Sequence, residues 1–170
     1  MNTSDFVAGL AHPVGGADHI LAMVTIGLWG VIAGGRALWA WPAAFVAMVV
    51  MGFAAAISGL HVPFVAPAIA SSIVLLGLLV ALAVRAPLGL GVVIAGLFAF
   101  FHGHAHGTDA TTTGLGLIAY ASGFSLATAA LHAVGIGAGF LITRSAGELL
   151  LRATGGLVAV SGLAMIAAVA

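Results

Sequence analysis

Residues 65–84 read VAPAIASSIVLLGLLVALAV, an apolar run without a charged side chain that ends at Arg85. A helix of about 20 residues, at 1.5 Å rise per residue, covers about 30 Å, which is the thickness of the hydrocarbon core of a bilayer. Similar runs recur along the 170-residue chain and account for nearly all of it. The pattern therefore predicts a polytopic membrane protein with no room for a soluble domain.

The composition excludes several classes of protein. Of the residues, 63% are hydrophobic and 5% are charged, whereas an ordinary soluble domain has about 25% charged residues. The chain has no cysteine, which excludes disulfides and thiolate metal sites, and no lysine, which excludes a Walker A phosphate loop and a Schiff-base retinal site. Its four arginines are too few for a nucleic-acid surface, so we expect no nucleic-acid partner.

We predict an all-α fold, a single transmembrane domain comprising a bundle of six helices in the lipid bilayer. Helices are expected because every backbone polar group in hydrocarbon needs a partner, and the alternating pattern of a membrane barrel is missing from the sequence. Small residues at four-residue spacing, such as Gly135 and Gly139, favour close helix packing. The predicted spans are 6–33, 41–60, 65–84, 88–103, 114–142 and 147–169.

The arginines predict the topology. Arg36, Arg85 and Arg144 fall in the first, third and fifth connections, and Arg152 lies near the start of the last span, so all four cations share one face. By the positive-inside rule that face is cytoplasmic, and both termini are then extracytoplasmic. No leader is visible, so either the first span inserts without one or a leader has been removed.

Two groups of polar residues interrupt the apolar spans. The first reads AHPVGGADHILAM over residues 11–23 and contains His12, Asp18 and His19. On a straight helix His12 and His19 are about 10 Å apart, too far to chelate one ion. Either Pro13 and the following glycines break the helix and bring the two imidazoles together, or the two serve successive sites.

The second group closes the predicted fourth span and reads FHGHAHGTD over residues 101–109. His102 and His106 are four residues apart, which suits a bidentate metal clamp on one helix face. Asp109 adds a carboxylate. On the predicted topology this group faces the same side as the first, so both can line one vestibule. His104 is expected to face solvent, and His61 to lie at the membrane interface without binding an ion.

Ionisable groups at membrane depth are costly and usually functional. Imidazole and carboxylate without thiolate suit Ni²⁺, Co²⁺, Zn²⁺ or iron and disfavour Cu⁺. Met23, one turn beyond His19, is the nearest soft ligand, although a lone methionine is more often a packing residue. His132 in the fifth span either bridges helices or lines a transport path. Met23 and His132 are therefore both candidates for residues that line the transport path.

These motifs resemble the HupE/UreJ family of membrane proteins associated with the nickel enzymes hydrogenase and urease. The resemblance rests on His12, Asp18 and His19, on residues 102–107, and on residues 123–132 with Thr128 and His132. It implies a six-helix nickel permease of the bacterial inner membrane that supplies enzyme maturation proteins. The family usually has a glutamate where this chain has Asp109, which retains the carboxylate on a side chain one methylene shorter.

The sequence thus predicts a non-enzymatic transporter that takes a divalent ion, Ni²⁺ first and Co²⁺ or Zn²⁺ next, by facilitated diffusion or secondary transport. Two alternatives stay open. A metal-binding sensor or accessory protein would bind the ion without flux, and an intramembrane metalloenzyme would need a general base beside the metal. The oligomeric state, a homo-oligomer included, is not decided by the sequence.

Overall fold

The computed structural model describes residues 3–110 and 112–169, and all regular structure in these ranges is helical. Seven helices follow one another: α1 (Thr3–Gly15), α2 (Ala17–Ala33), α3 (Ala37–Ile57), α4 (Val65–Ala81), α5 (Leu88–Asp109), α6 (Leu115–Ser145) and α7 (Gly147–Val169). The all-α class predicted from the apolar runs is confirmed.

The predicted first span, 6–33, is two helices. Between α1 and α2 the chain bends by 80° at Gly16, whose extended backbone (φ −113°, ψ 124°) lies outside the helical region. Pro13, inside α1, cannot donate a backbone hydrogen bond, and the two glycines that follow have low helix propensity. Of the two alternatives drawn from the sequence, the structure has the broken helix.

The number of membrane spans is not settled by helix length. Within the described residues, α3, α5, α6 and α7 are each long and apolar enough to cross a membrane, and α1 with α2 qualifies as a bent pair. Helix α4 has 17 residues, at the lower limit for spanning, because the chain turns after Ala81 and Ala83 adopts a left-handed φ of 51°. The chain is a multi-pass membrane protein with four or five candidate spans, and six remains a prediction.

Helix packing brings α3 against α5, α4 against α7, and α6 against both α1 and α2. Gly52 of α3 faces the backbone of Phe100, and Gly103 of α5 faces the backbone of Val49. A Cβ atom at either glycine would overlap the facing carbonyl group, so this close approach requires glycine. The α3–α5 contact holds the second histidine group against the bundle.

All four arginines lie at one end of the bundle, as predicted; we call it the arginine end. Arg36 lines a cavity with Ala86, Arg85 lines another with Thr143, and the Arg152 Nε donates to the Ala81 carbonyl at 2.8 Å. Near this end the buried rings of Trp29 and Trp41 lie 4.0 Å apart and donate to the carbonyls of Val84 and Leu88. The tryptophans therefore close the core there.

Candidate metal site

Three helices bring the two polar groups together at the opposite end, which we call the histidine end. The bend at Gly16 directs α1 back across the start of α2, so that His12 lies near His19, with ring centroids 6.0 Å apart. Helix α5 runs from the arginine end and presents His102 and His106 to the same place. Since His19 lies 14 residues before the end of α2, the group is about 20 Å from the arginine end.

The first ligand set consists of His12, His19 and His106, one from each of the three helices. One ring nitrogen of each lies within 4.8 Å of the others. The Nε2 atoms of His19 and His106 are in direct contact. His19 and His106 are buried, and His12 is partly exposed. Three imidazoles converging from three directions can share one divalent ion with water in its remaining positions.

The second ligand set consists of Asp18, His19 and His102, and its ligand atoms also lie within 4.8 Å of one another. The carboxylate of Asp18 accepts a hydrogen bond from Nδ1 of His19 at 2.6 Å. This bond fixes the tautomer of His19 and leaves its Nε2 lone pair directed at the first set. Because His19 belongs to both sets, the two sets are adjacent binding positions within one site.

Ser72 determines how His102 presents its ring. The Ser72 hydroxyl donates to the Ile69 carbonyl at 2.6 Å, so its oxygen is an acceptor for His102 Nε2, 3.3 Å away. The proton of the neutral imidazole then sits on Nε2, and Nδ1 keeps its lone pair. That Nδ1 atom is buried and has no hydrogen-bond partner among residues 3–110 and 112–169, and neither has Nδ1 of His106. Buried acceptors without partners are costly unless something binds them.

Aromatic rings line the site. Phe124 lies 4.3 Å from the ring of His106 and 6.2 Å from that of His12, and Tyr120 lies 5.9 Å from His12. Phe45 covers the inner side, 5.8 Å from His102. These apolar walls lower the local dielectric, which strengthens the attraction between the Asp18 carboxylate and a cation.

The remaining predicted site residues do not belong to either set. Asp109 is exposed at the last residue of α5. Met23 is fully buried in the apolar core, one turn inward from His19. His132 is 1% exposed and lies 5.0 Å from the ring of Phe45.

The expectation that His104 faces solvent is wrong. Helix α5 continues through Asp109 instead of ending near 103, so His104 stays on a helix that packs against its neighbours. It is 5% exposed, and its Nε2 donates to the Leu60 carbonyl at 2.8 Å. His61 is exposed in the connection between α3 and α4, and its place at the membrane interface stays a prediction.

A cavity of about 270 Å³ gives access to the second set. It is lined by Asp18 and by apolar residues of α4 and α7, including Ala66, Ile69 and Met165. The Asp18 side chain is 30% exposed, more than the His19 side chain beside it. The carboxylate is therefore the first charged group that an ion entering here meets.

Comparison with known proteins identifies the family of the chain. The family model described as HupE / UreJ protein matches residues 1–165. Protein HupE of Rhizobium leguminosarum bv. viciae is 42% identical over 160 residues, which cover 94% of this chain and 83% of that protein. No solved structure matches the chain at a significant level. The resemblance found in the sequence is confirmed, and the chain belongs to the HupE/UreJ family.

Proposed function

We propose that this protein transports a divalent transition-metal ion, with Ni²⁺ as the first candidate, across the bacterial inner membrane. The observation that carries the proposal is the pair of overlapping ligand sets, built from His12, Asp18, His19, His102 and His106 and largely buried at one end of a membrane bundle. Neighbouring sets that share a ligand allow an ion to move between them without losing all its ligands at once, as permeation requires.

The ligand chemistry supports Ni²⁺ or Co²⁺, since imidazole and carboxylate bind both, and Zn²⁺ is the next candidate. The association of the family with hydrogenase and urease favours Ni²⁺ and maturation proteins of those enzymes as recipients. With the arginine end in the cytoplasm, the histidine end faces the periplasm and the ion moves inward. Without a phosphate-binding loop, the driving force is the ion gradient or a coupled ion.

Beyond the two sets we place the path along Met23 and His132. His132 is buried, and within the described residues its ring nitrogens have no hydrogen-bond partner beyond the backbone of Thr128, one turn earlier in α6. The Thr128 hydroxyl is also buried, one turn nearer the histidine end, and has no hydrogen-bond partner in that same part of the chain. Polar atoms at this depth are costly unless a passing ion or water binds them.

Uptake by liposomes that contain the purified protein tests the proposal. Wild-type protein should admit Ni²⁺ down its gradient, and His19→Ala should abolish uptake because it removes the ligand common to both sets. Asp5→Asn is a matched control at the same end, outside both sets. A folded wild-type protein that admits no divalent ion refutes transport.

Ni²⁺ binding and dialysis, measured beside uptake, separate the alternatives. A sensor or accessory protein binds Ni²⁺ stoichiometrically without flux. A metalloenzyme retains its metal through dialysis at fixed stoichiometry, whereas the site of a transporter exchanges its ion readily.

A further inference from the structure

A second cavity with metal-binding side chains lies at the histidine end, outside the two ligand sets. Its volume is about 320 Å³, and it is bordered by the α3–α4 connection, the start of α4 and the last turns of α5. The polar side chains that line it are His61, His104, Thr108 and Asp109. We propose that this cavity is a capture site for a hydrated divalent cation, which then passes to the buried histidines; the proposal rests on the transport function proposed above.

His104 carries the argument. Its Nε2 must bear the proton, because the Leu60 carbonyl 2.8 Å away can only accept a hydrogen bond. Its Nδ1 therefore holds a lone pair, and that atom is buried without a hydrogen-bond partner in the part of the chain that the structure describes. An imidazole with one nitrogen fixed by a carbonyl and the other left free is the usual arrangement of a metal-binding histidine. Hydrogen bonding within the protein thus prepares His104 as a ligand.

The other two ligands face the cavity from exposed positions. Asp109 brings a carboxylate at the end of α5, and His61 brings a second imidazole from the opposite wall. Among the described residues, only the two central sets bring three such ligand atoms within 4.8 Å of one another. A more open arrangement suits an ion that keeps most of its water. At about 30 Å³ per water molecule, the cavity has room for an ion with its first hydration shell.

The position and the charge of this end fit capture. Ala66 and Ile69 line both this cavity and the one beside Asp18, so the two adjoin across the first turns of α4. Asp109 and Asp18 lie beside the two cavities, whereas every arginine is at the other end. Asp5 is at the histidine end, near Gly116 at the start of α6, but it lines neither cavity. The resulting negative field raises the local concentration of cations.

The test is equilibrium Ni²⁺ binding to purified full-length protein in a His19→Ala background, in which neither central set is complete. This protein should still bind one Ni²⁺ weakly, and adding His61→Ala or Asp109→Asn should weaken that binding about tenfold. Adding Asp5→Asn, which removes the same charge at the same end, should change it less than twofold. Loss of all binding in His19→Ala, or equal binding in all these variants, overturns the capture site.

Uptake kinetics add a second readout in the otherwise wild-type protein. His61→Ala should raise the KM for Ni²⁺ several-fold and leave the maximal rate unchanged, because saturating ion makes capture unnecessary. A lower maximal rate with unchanged KM overturns the proposal. If wild-type protein shows no uptake, the transport function fails, and the binding series still decides whether the cavity holds the ion.

Discussion

Gly16→Ala tests whether Ni²⁺ binding depends on the arrangement of Asp18 and His19 beside the bend. A Cβ atom at this position would lie 2.6 Å from Asp18 Oδ1 and 2.6 Å from His19 Nδ1. The backbone conformation itself accepts alanine, since φ is −113°. Gly16→Ala therefore acts through the Asp18–His19 pair: ordinary contact requires about 3.4 Å, so both side chains must move by about 0.8 Å.

That movement disrupts the 2.6 Å hydrogen bond that orients His19. Loss of a group that orients a metal-binding histidine typically lowers metal affinity by about 10- to 100-fold, so we expect Gly16→Ala to weaken Ni²⁺ binding by at least about tenfold, or about 1.4 kcal/mol. Gly15→Ala is the matched control, because a Cβ there meets nothing within 4 Å.

Isothermal titration calorimetry of the purified proteins measures both affinities, and thermal unfolding checks that each is folded. Gly15→Ala should bind as wild type does. Wild-type affinity in Gly16→Ala refutes the role of the Asp18–His19 pair. Equal losses in both variants would instead assign the effect to the flexibility of the bend.

Further variants test other parts of the site. Ser72→Ala leaves Nε2 of His102 without a partner, so it should destabilise the protein by about 1–3 kcal/mol and weaken Ni²⁺ binding. Thermal unfolding measures the first effect and calorimetry the second. Ser71→Ala, at an exposed position, should change neither, and equal effects of the two variants would contradict the role of Ser72. His132→Leu should lower the maximal rate of Ni²⁺ uptake by about tenfold or more without changing equilibrium binding; an unchanged rate removes His132 from the path. Gly103→Ala should destabilise the bundle by about 1–3 kcal/mol by separating α5 from α3, and a melting temperature equal to that of wild type would contradict this contact.

The architecture follows largely from local sequence signals. Long apolar runs indicate helices because hydrocarbon leaves backbone groups no other partners, and the arginines mark one end of the bundle. Helix ends were harder to predict. The residues after Gly103 are polar, yet α5 continues to Asp109 because α3 and the α3–α4 connection pack against it. Such tertiary contacts leave no periodic signal in the sequence.

The ligand sets were partly visible in the sequence. His12, Asp18, His19, His102 and His106 are conspicuous because ionisable groups are rare in apolar spans, and the structure brings all five together. Their assignment to two sets sharing His19 depends on the bend at Gly16, which spacing along a straight helix does not give.

The supporting residues were missed. Ser72 is a small polar residue in a long apolar run, and its position beside His102 depends on how α4 packs against α5. The sequence predicts that His104 faces solvent because the residues around it are typical of the end of a helix. Burial of a side chain depends on the partner helices, and that information is not local.

If the histidine end binds the ion as proposed, the ion lies between α1, α2 and α5. Anomalous scattering at the nickel absorption edge from crystals of the Ni²⁺-loaded protein shows where the ion binds. We expect a peak bounded by His12, His19 and His106 or by Asp18, His19 and His102. A nickel peak only elsewhere, with these side chains well ordered and no ion between them, would contradict it.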